Sequence, residues 1–178
     1  DRFRCLVVGP GLGRDSDGEV RQLVASSPVP GVVDGDGLTA LGPRPGVPAT
    51  TILTPHDGEY ERLTGARPGA DRLDAARRLA DVTGGIALLK GPATVVAEPG
   101  GRVLVAAAGD ARLATAGSGD VLAGIIGAFV ARGVPLLEAA AWAAHVHGLA
   151  ALAGPAAGLV AGDLPDLVPL VLASLPVG

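Results

Sequence analysis

The residues best suited to chemistry lie in the stretch AGSGD, residues 116–120. Gly117 and Gly119 let the chain turn so that successive backbone N–H groups point outwards, and the apolar run behind them predicts a helix from about Gly119 to Arg132. A helix N-terminus carries about half a positive charge and stabilises phosphate oxygens. Asp120 then has two interpretations. It complements the helix dipole, which is worth about 0.3–1 kcal/mol, or it acts as general base on a substrate hydroxyl.

A glycine-rich loop, GPGLGRD, occupies residues 9–15 directly after a predicted strand. Its Gly9, Gly11 and Gly13 give G-x-G-x-G, which is not the G-x-G-x-x-G spacing of dinucleotide-binding folds. Two interpretations stay open with equal weight. The loop is a tight connection between strand and helix, or it is a surface on which a ligand approaches the backbone closely.

The segment TPHDGEYERL, residues 54–63, places His56 at the end of a predicted strand. Local helix capping by Thr54, Asp57 and Glu59, with His56 incidental, is the favoured explanation. The alternative follows from position, because ligands of parallel sheets bind beyond the carboxyl ends of the strands. A histidine at that edge has the right location to hydrogen-bond a substrate.

The segment LLKGPATVVA, residues 88–97, ends a predicted strand in Lys90. The G-x-x-x-x-G-K-[ST] spacing of a Walker A loop is absent. Either the segment is a polar strand end followed by a turn, or Lys90 and the Thr94 hydroxyl face nucleotide phosphate or ribose.

The pair HVH, residues 145–147, is weak evidence for a metal site, because helical positions i and i+2 do not face the same way. We therefore expect no protein-bound metal. Trp142 is expected in the core or at a subunit contact, and Cys5 is expected to be a buried strand residue.

The composition limits the class of protein. The chain has 178 residues, is 48% hydrophobic and carries a net charge of −4 without a basic run, which argues against nucleic acid as a partner. One cysteine allows no intrachain disulfide and fits a reducing compartment such as the cytoplasm. The run 121–131 is too short to span a bilayer, and no signal peptide is visible. The chain has no Met and begins at Asp1, so we expect either processing or a piece of a longer protein.

The predicted elements alternate between strand and helix. Strands are predicted in 3–9, 31–38, 49–53 and 86–91, with a β-hairpin over 93–109 around Pro99-Gly100-Gly101. Helices are predicted over 17–25, after His56 up to Gly65, and over 67–85, 119–132 and 135–154, with a shorter one near the end. This order predicts an α/β fold with a mainly parallel sheet, helices on both faces and an attached antiparallel hairpin, in a single domain spanning 1–178.

The whole motif set resembles one family. GPGLG, VVDGDGL, TPHDGE, LKGPATVV, LATAGSGDVLAGIIGAFVARG and AAAWAAHVHGLAA occur in its order and approximate spacing. The chain is similar, from about residue 3 to residue 170, to the ADP- or ATP-dependent NAD(P)H-hydrate dehydratases, the carbohydrate-kinase-like domain of the YjeF proteins. The resemblance implies a ribokinase-like fold. It also implies that roughly a third of the usual domain, before LVVGPGLG, is absent from this sequence.

The resemblance implies a repair reaction. Hydrated NADH or NADPH is phosphorylated on its ring hydroxyl at the expense of ADP or ATP and then loses phosphate. It implies that Asp120 is the base and that Gly11, Gly13 and His56 contact the hydrated dinucleotide. The residues it implies for the nucleotide and its phosphates are Lys90, Gly91, Pro92, Ala93, Thr94, Gly117, Ser118 and Gly119. Mg²⁺ is expected with the nucleotide, and a homo-oligomer, often a tetramer in this family, is expected as the assembly.

The chain departs from the family pattern at a few positions. Asp57 stands where the family usually has Pro, Gly35 where it has Ala, and Asp110-Ala111 near a usual Asn-Pro pair. Asp57 and Asp110 are expected to add negative charge near the phosphates. Two other functions therefore stay open: a small-molecule kinase of the same superfamily, and a nucleotide-binding protein without catalysis.

Overall fold

The computed structural model describes residues 2–175, and within that range it contains one six-stranded sheet in the order β1-β2-β3-β4-β5-β6. The strands are β1 (Leu6–Val8), β2 (Gly31–Val33), β3 (Thr51–Leu53), β4 (Ile86–Leu89), β5 (Thr94–Ala97) and β6 (Val103–Ala106). The first four pair in parallel, and β4, β5 and β6 pair antiparallel. The prediction of a mainly parallel sheet with an attached hairpin is confirmed.

Helices cover both faces of the sheet. Their bounds are α1 (Asp17–Ser26), α2 (Asp36–Leu41), α3 (Asp57–Thr64), α4 (Arg72–Thr83), α5 (Ser118–Ala131), α6 (Leu136–Ala153) and α7 (Leu164–Ser174). Side chains of α1 to α4 pack with one face of the sheet, and those of α5 and α6 pack with the other. Helix α7 packs beside α6. These layers hold the carboxyl ends of β1 to β4 at one edge.

The inner strands are almost entirely apolar because both of their faces are covered. Leu53 and Leu89 contribute to the core under α1 to α4, whereas their neighbours Ile52 and Leu88 contribute to the core under α5 and α6. All four are fully buried. Successive side chains of a strand point to opposite faces, so a continuous apolar run is the expected sequence of a doubly covered strand.

Helix α6 is long and apolar enough, by length and composition alone, to cross a membrane. In this fold 61% of its 18 residues are buried against the rest of the protein. Its small alanine side chains allow close approach to α5, β5 and β6, which is the packing of a core helix.

The structure corrects the prediction for residues 3–9. Strand β1 lies at the edge of the described sheet, and Phe3 and Val7 are 76% and 39% exposed. Cys5 precedes the strand and is only half-buried. An apolar run does not reveal whether a strand has a neighbour on both sides. Trp142 is 54% exposed, which excludes the core position and leaves the subunit contact as a prediction.

The segment 31–38 is only partly a strand, because β2 ends at Val33 and α2 begins at Asp36. Gly35 has φ of 52°, which allows the sharp reversal between the two elements. Gly37 then packs so closely that a Cβ there would lie 2.9 Å from the Val8 carbonyl oxygen. A six-residue helix is too short to show a helical repeat in the sequence, which is why the prediction missed it.

Candidate functional site

A partly buried ion-pair cluster lies where β2 and β4 end. Lys90 Nζ donates to Asp34 Oδ1 at 2.8 Å and lies 3.7 Å from Glu59 Oε2. The Asp34 and Glu59 side chains are 4% and 8% exposed, and that of Lys90 is 21% exposed. Asp34 follows β2, Lys90 follows β4, and Glu59 belongs to the first turn of α3. Three separate elements therefore bring two carboxyl groups to one ammonium group.

The turn before α5 rests directly on this cluster. A Cβ at Gly119 would lie 3.3 Å from both Asp34 Oδ2 and Lys90 Nζ, so any larger residue would press on the ion pair. Gly117 has φ of 88° and gives the turn its left-handed step. The Gly119 amide has no hydrogen-bond partner among the described residues, as expected for the first turn of a helix. It is thus free to bind an anion.

Ser118 uses its polar groups inside the protein. Its hydroxyl donates to the Leu113 carbonyl oxygen at 2.6 Å, and its amide donates to the Thr115 carbonyl oxygen at 3.2 Å. The Asp120 amide likewise donates to the Gly117 carbonyl oxygen. The expectation that successive N–H groups all point outwards is therefore corrected, since several of them fix the turn and Gly119 carries the free donor.

A cavity of about 800 Å³ opens between the turn, the end of β4 and the loop 108–115. Most of the residues predicted for the nucleotide line it, together with one predicted for the substrate. Those lining it are His56, Lys90, Gly91, Pro92, Thr94, Ser118 and Gly119. Five predicted residues lie outside its lining, namely Ala93, Gly117, Asp120, Gly11 and Gly13.

His56 is the N-terminal cap of α3. Its Nδ1 accepts hydrogen bonds from the Gly58 and Glu59 amides at 3.0 and 3.3 Å, and its own amide donates to Glu59 Oε2 at 2.8 Å. The local explanation was right that Glu59 helps to cap α3 and wrong that His56 is incidental. It was also wrong about Thr54, whose hydroxyl donates to the Val33 carbonyl oxygen. Because Nδ1 accepts, the proton of the neutral ring is assigned to Nε2. The side chain is 55% exposed and so presents an N–H donor at the cavity.

The two unusual aspartates at the cavity are each paired with an arginine. Asp57 Oδ1 accepts from Arg72 at 3.0 Å, and both carboxylate oxygens of Asp110 accept from the Arg112 guanidinium. The side-chain hydrogen bonds from Arg112 lower the pKa of Asp110, and its backbone amide adds to the effect. The expected extra negative charge is thus balanced locally.

His147 on α6 is a buried histidine at the wall of the cavity, only 5% exposed. Its pKa is lowered to about 4, mainly because burial disfavours the charged ring; the charge of Lys90 also lowers it, and the backbone of Ser118 acts in the opposite direction. The ring is therefore neutral at pH 7, and its Nε2 has no hydrogen-bond partner among residues 2–175. His145 is exposed, so the two histidines of HVH face different surroundings.

Asp120 lies in the first turn of α5 and is exposed. Its side chain makes no hydrogen bond or ion pair with residues 2–175. Gly11 and Gly13 are also exposed, with φ of 68° and 71°, and the Gly13 amide donates to Asp36 Oδ2 at 2.8 Å. These predicted substrate residues are therefore exposed and lie outside the cavity lining.

Sequence reasoning missed Asp34, Glu59 and His147 as members of the site. Asp34 directly follows a strand, at the edge where ligands bind, and that was the available signal. Its partner Lys90 is 56 positions away, and no local pattern predicts such a pair. For His147 no signal distinguishes it from the exposed His145 two residues earlier.

Comparison with known proteins gives a consistent result. The carbohydrate-kinase family model described as NAD(P)H-hydrate dehydratase matches residues 1–169. The chain is 52% identical over 145 residues to a bifunctional NAD(P)H-hydrate repair enzyme of Mycobacterium tuberculosis, covering 79% of the chain and 31% of that relative. It is 42% identical to an ADP-dependent (S)-NAD(P)H-hydrate dehydratase of Neisseria meningitidis, over 91% of the chain and 60% of that relative. The chain thus spans about a third to three fifths of the curated relatives it matches.

Solved structures show the same fold. An ADP/ATP-dependent NAD(P)H-hydrate dehydratase of Bacillus subtilis, co-crystallised with ATP and Mg²⁺, has a TM-score of 0.85 and 30% identity, covering 96% of this chain and 66% of that chain. A ribokinase of Arabidopsis thaliana has a TM-score of 0.58 and 17% identity, covering 92% and 55% of the two chains. The fold is therefore ribokinase-like, as predicted.

Proposed function

Because this chain belongs to the NAD(P)H-hydrate dehydratase family, we propose that it takes part in the ADP- or ATP-dependent dehydration that restores NADH and NADPH from their hydrates. The observation that carries the proposal is the position of Gly119. Its free amide lies at the start of a helix, directly on the Asp34–Lys90 pair and at the wall of a cavity of about 800 Å³. Small-molecule sites commonly enclose about 300–1,000 Å³.

The nucleotide is proposed to occupy this cavity. Lys90, Gly91, Pro92, Ala93 and Thr94 form one side of its site, at the end of β4 and the start of β5. The turn of Gly117, Ser118 and Gly119 faces them and holds the terminal phosphate through the Gly119 amide and the helix dipole. Backbone donors supply this contact, because Lys90 is already paired with Asp34.

The hydrated dinucleotide is proposed to approach from the open side. Gly11 and Gly13 present bare backbone in the loop after β1, and the space beside them is open, since a Cβ at either position would meet nothing within 4 Å. His56 offers Nε2–H as a donor to the substrate. Asp120, exposed and unpaired within the described residues, is free to accept the proton of the ring hydroxyl.

The proposed reaction needs positioning and charge stabilisation, without a protein-bound redox group. Asp120 takes the hydroxyl proton while the hydroxyl oxygen forms a bond to the terminal phosphorus. The bond from that phosphorus to the nucleotide breaks, which releases AMP from ADP or ADP from ATP. The lone pair of the ring nitrogen then expels phosphate by breaking the C–O bond. Loss of a proton from the neighbouring ring carbon restores the double bond.

Mg²⁺ is proposed to arrive with the nucleotide. The ion prefers six oxygen ligands and is usually held by one or two carboxylates together with substrate phosphates. Around the cavity, Asp34 and Glu59 already contact Lys90, and Asp57 and Asp110 already contact arginines. These residues fit a site in which the phosphates supply most of the ligands, and they do not fit a preformed cage.

The proposed setting is a cytoplasmic homo-oligomer, with a tetramer as the expected state. The lone Cys5 forms no intrachain disulfide, which supports a reducing compartment. Trp142 and Leu152 leave large apolar surfaces exposed on α6, and Leu170 does the same on α7. Light scattering after gel filtration measures the assembly, and a monomer would contradict this part of the proposal.

The test of function compares two aspartates in the same kind of position. Asp120 and Asp166 are both exposed acids in the first turn of a helix, α5 and α7, so helix-dipole effects are matched. In the full-length protein, Asp120→Asn should lower the rate at which ADP or ATP restores the reduced-nicotinamide absorbance of hydrated NADH by about 10²–10⁴-fold. Nucleotide binding should persist, and Asp166→Asn should be as active as the wild type.

Equal activity of Asp120→Asn and the wild type would disprove the role of base. Analysis of the products separates the other functions. Inorganic phosphate together with restored NADH supports the dehydratase, whereas an accumulating phosphoester supports a small-molecule kinase. Nucleotide binding without any turnover by the full-length wild type would support a non-catalytic nucleotide-binding protein.

A further inference from the structure

Arg72, the first residue of α4, contacts the segment that forms one side of the cavity. Its Nη2 donates to the Lys90 carbonyl oxygen at 2.7 Å and to Asp57 Oδ1 at 3.0 Å. Lys90 and Gly91 line the cavity, whereas Arg72 does not. The arginine therefore acts on the cavity through its neighbours.

The backbone of Lys90 is held at both of its polar groups. Its amide donates to the Pro55 carbonyl oxygen at 2.9 Å, and its carbonyl oxygen accepts from Arg72. Beyond Lys90 this support ends, since the Gly91 and Ala93 amides have no hydrogen-bond partner among residues 2–175. The hydrogen bond from Arg72 is thus the last one before a short run of free backbone that leads into β5.

The same hydrogen bond orients the Gly91 amide. The Lys90 carbonyl and the Gly91 N–H belong to one planar trans peptide group, in which the two bonds point in opposite directions. Holding the carbonyl therefore directs the N–H away from the guanidinium group. Because Gly91 is exposed and lines the cavity, its free N–H is available to a ligand there.

The guanidinium group also requires glycine at position 91. A Cβ on Gly91 would lie 2.5 Å from Arg72 Nη2 and 2.8 Å from Cζ, closer than Cβ atoms come to other heavy atoms. Arg72 Nε lies in the same contact, is buried, and has no hydrogen-bond partner within residues 2–175. Any side chain at position 91 would therefore displace the end of the arginine and break its hydrogen bond to Lys90.

The ion pair with Asp57 does not account for this arrangement by itself. Asp57 is 58% exposed, and water screens an exposed pair so that it contributes little to stability. The Arg72 side chain is only 22% exposed and makes its shorter hydrogen bond to a main-chain oxygen. The planar fork of donors of an arginine binds a carboxylate and a carbonyl group at once, which a single point charge does less well.

We propose that Arg72 is a positioning residue of the nucleotide site, which orients the Lys90–Gly91 peptide so that the Gly91 amide binds an oxygen of the nucleotide. The proposal rests on the proposed function only in naming the adenine nucleotide as the ligand. Arg72 itself does not touch the nucleotide. Its charge stays with Asp57, and its effect on binding is geometric.

The test compares Arg72 with Arg78 on the same helix, which also pairs with an exposed aspartate, Asp74, but makes no hydrogen bond to the main chain of residues 2–175. Arg72→Met removes the donors and keeps an unbranched side chain, while Arg72→Lys keeps a donor and the charge. Arg78→Met is the matched control. In the full-length protein, amide NMR spectra recorded during titration with ADP give the dissociation constant and the response of the Gly91 signal.

We expect Arg72→Met to weaken ADP binding about tenfold and to reduce the shift of the Gly91 signal. Arg72→Lys should bind ADP within about threefold of the wild type, and Arg78→Met should match the wild type. Unaltered ADP binding by Arg72→Met would overturn the proposal, and so would equal losses of binding in Arg72→Met and Arg72→Lys.

Gly91→Ala displaces the guanidinium group without removing it, and so decides the question even if urea denaturation shows that Arg72→Met does not fold. It should also weaken ADP binding about tenfold, because its Cβ would take the place of Arg72 Nη2. In the double variant the two losses should be less than additive, since both act through one contact. Unaltered binding by Gly91→Ala, or fully additive losses, would overturn the proposal.

Failure of the proposed function is distinguishable from failure of this inference. If the wild type binds ADP without dehydrating hydrated NADH, the dehydratase activity is refuted, and the same variants still test Arg72. If Arg72→Met binds ADP and dehydrates hydrated NADH as the wild type does, this inference alone is refuted. If the wild type binds neither ADP nor ATP with Mg²⁺, both are refuted.

Discussion

Replacing Asp34 by asparagine tests whether the Asp34–Lys90 pair stabilises the edge of the sheet at which β2 and β4 end. The substitution removes one charge from a site in which the Asp34 side chain is only 4% exposed. It leaves the volume nearly unchanged. The predicted consequence is a lower free energy of unfolding, together with a less ordered Gly119, because that residue lies against both members of the pair.

The magnitude follows from the two distances. At an effective dielectric constant of about 20, unit charges 2.8 Å apart attract by about 6 kcal/mol, and charges 3.7 Å apart by about 4.5 kcal/mol. The cost of desolvating the Asp34 carboxylate offsets much of the attraction of about 6 kcal/mol between Asp34 and Lys90. Removing one partner of a buried pair typically costs about 3–5 kcal/mol. Because Lys90 keeps Glu59 and is partly exposed, we expect a loss of about 3 kcal/mol.

The control is the same substitution at Asp57, which pairs with Arg72 at the same edge of the sheet but is 58% exposed. An exposed ion pair contributes about 1 kcal/mol or less. Urea denaturation at pH 7, followed by circular dichroism, gives both free energies of unfolding. Equal losses of free energy of unfolding in the two variants, or a loss below about 1 kcal/mol for Asp34→Asn, would show that the Asp34–Lys90 pair does not stabilise this edge of the sheet.

Two further predictions concern stability. Gly148→Ala should lower the free energy of unfolding by about 1–3 kcal/mol, because its Cβ would lie 2.2 Å from the Ala108 carbonyl oxygen. Gly124→Ala in α5, where a Cβ would meet nothing within 4 Å, should instead raise it by about 0.5–1 kcal/mol. Thermal unfolding measures both changes, and two changes of the same sign would contradict this packing. Because burial and the charge of Lys90 lower the pKa of His147 from 6.5 to about 4, the unfolded chain takes up this proton first, so stability is complete above pH 6.5 and falls towards pH 4. Urea midpoints should show about 2 kcal/mol of loss between pH 7 and 5 that is absent from His147→Leu; an identical pH dependence in that variant would refute the assignment.

The layered fold was predictable from the sequence because its signals are local. The apolar strand IALL at 86–89 and the turn at Pro99-Gly100-Gly101 each determine their element within a few residues. The edge position of β1 was not predictable, because exposure of Val7 depends on which strand lies beside it. Helix α2 was missed because six residues carry too little periodicity.

The candidate site was predictable only where backbone geometry determines it. Two glycines around Ser118 predicted the turn, and the position of Lys90 at a strand end placed it at the cavity. The partners Asp34 and Glu59 depend on which strand ends become neighbours, which is a property of the sheet order. The capping role of His56 was hidden for another reason, since its Nδ1 acts in place of the usual serine, threonine or aspartate oxygen.

The pairing of charges around the cavity bears on how the proposed phosphate would be held. Lys90 is bound to Asp34, Arg72 to Asp57 and Arg112 to Asp110, so each of these cations already has a carboxylate partner. A phosphate therefore gains little from their net charge, and the helix N-terminus with its backbone donor provides the main attraction. The two aspartates that depart from the family pattern are each paired with an arginine, which offsets the negative charge that they would add near the proposed nucleotide. Glu59 is a second carboxylate beside Lys90, so the four carboxylates around the cavity outnumber the three cations by one. The charge of the proposed phosphate is therefore left to a cation that arrives with the nucleotide, which is why the arrangement suits a metal–nucleotide complex better than a free nucleotide.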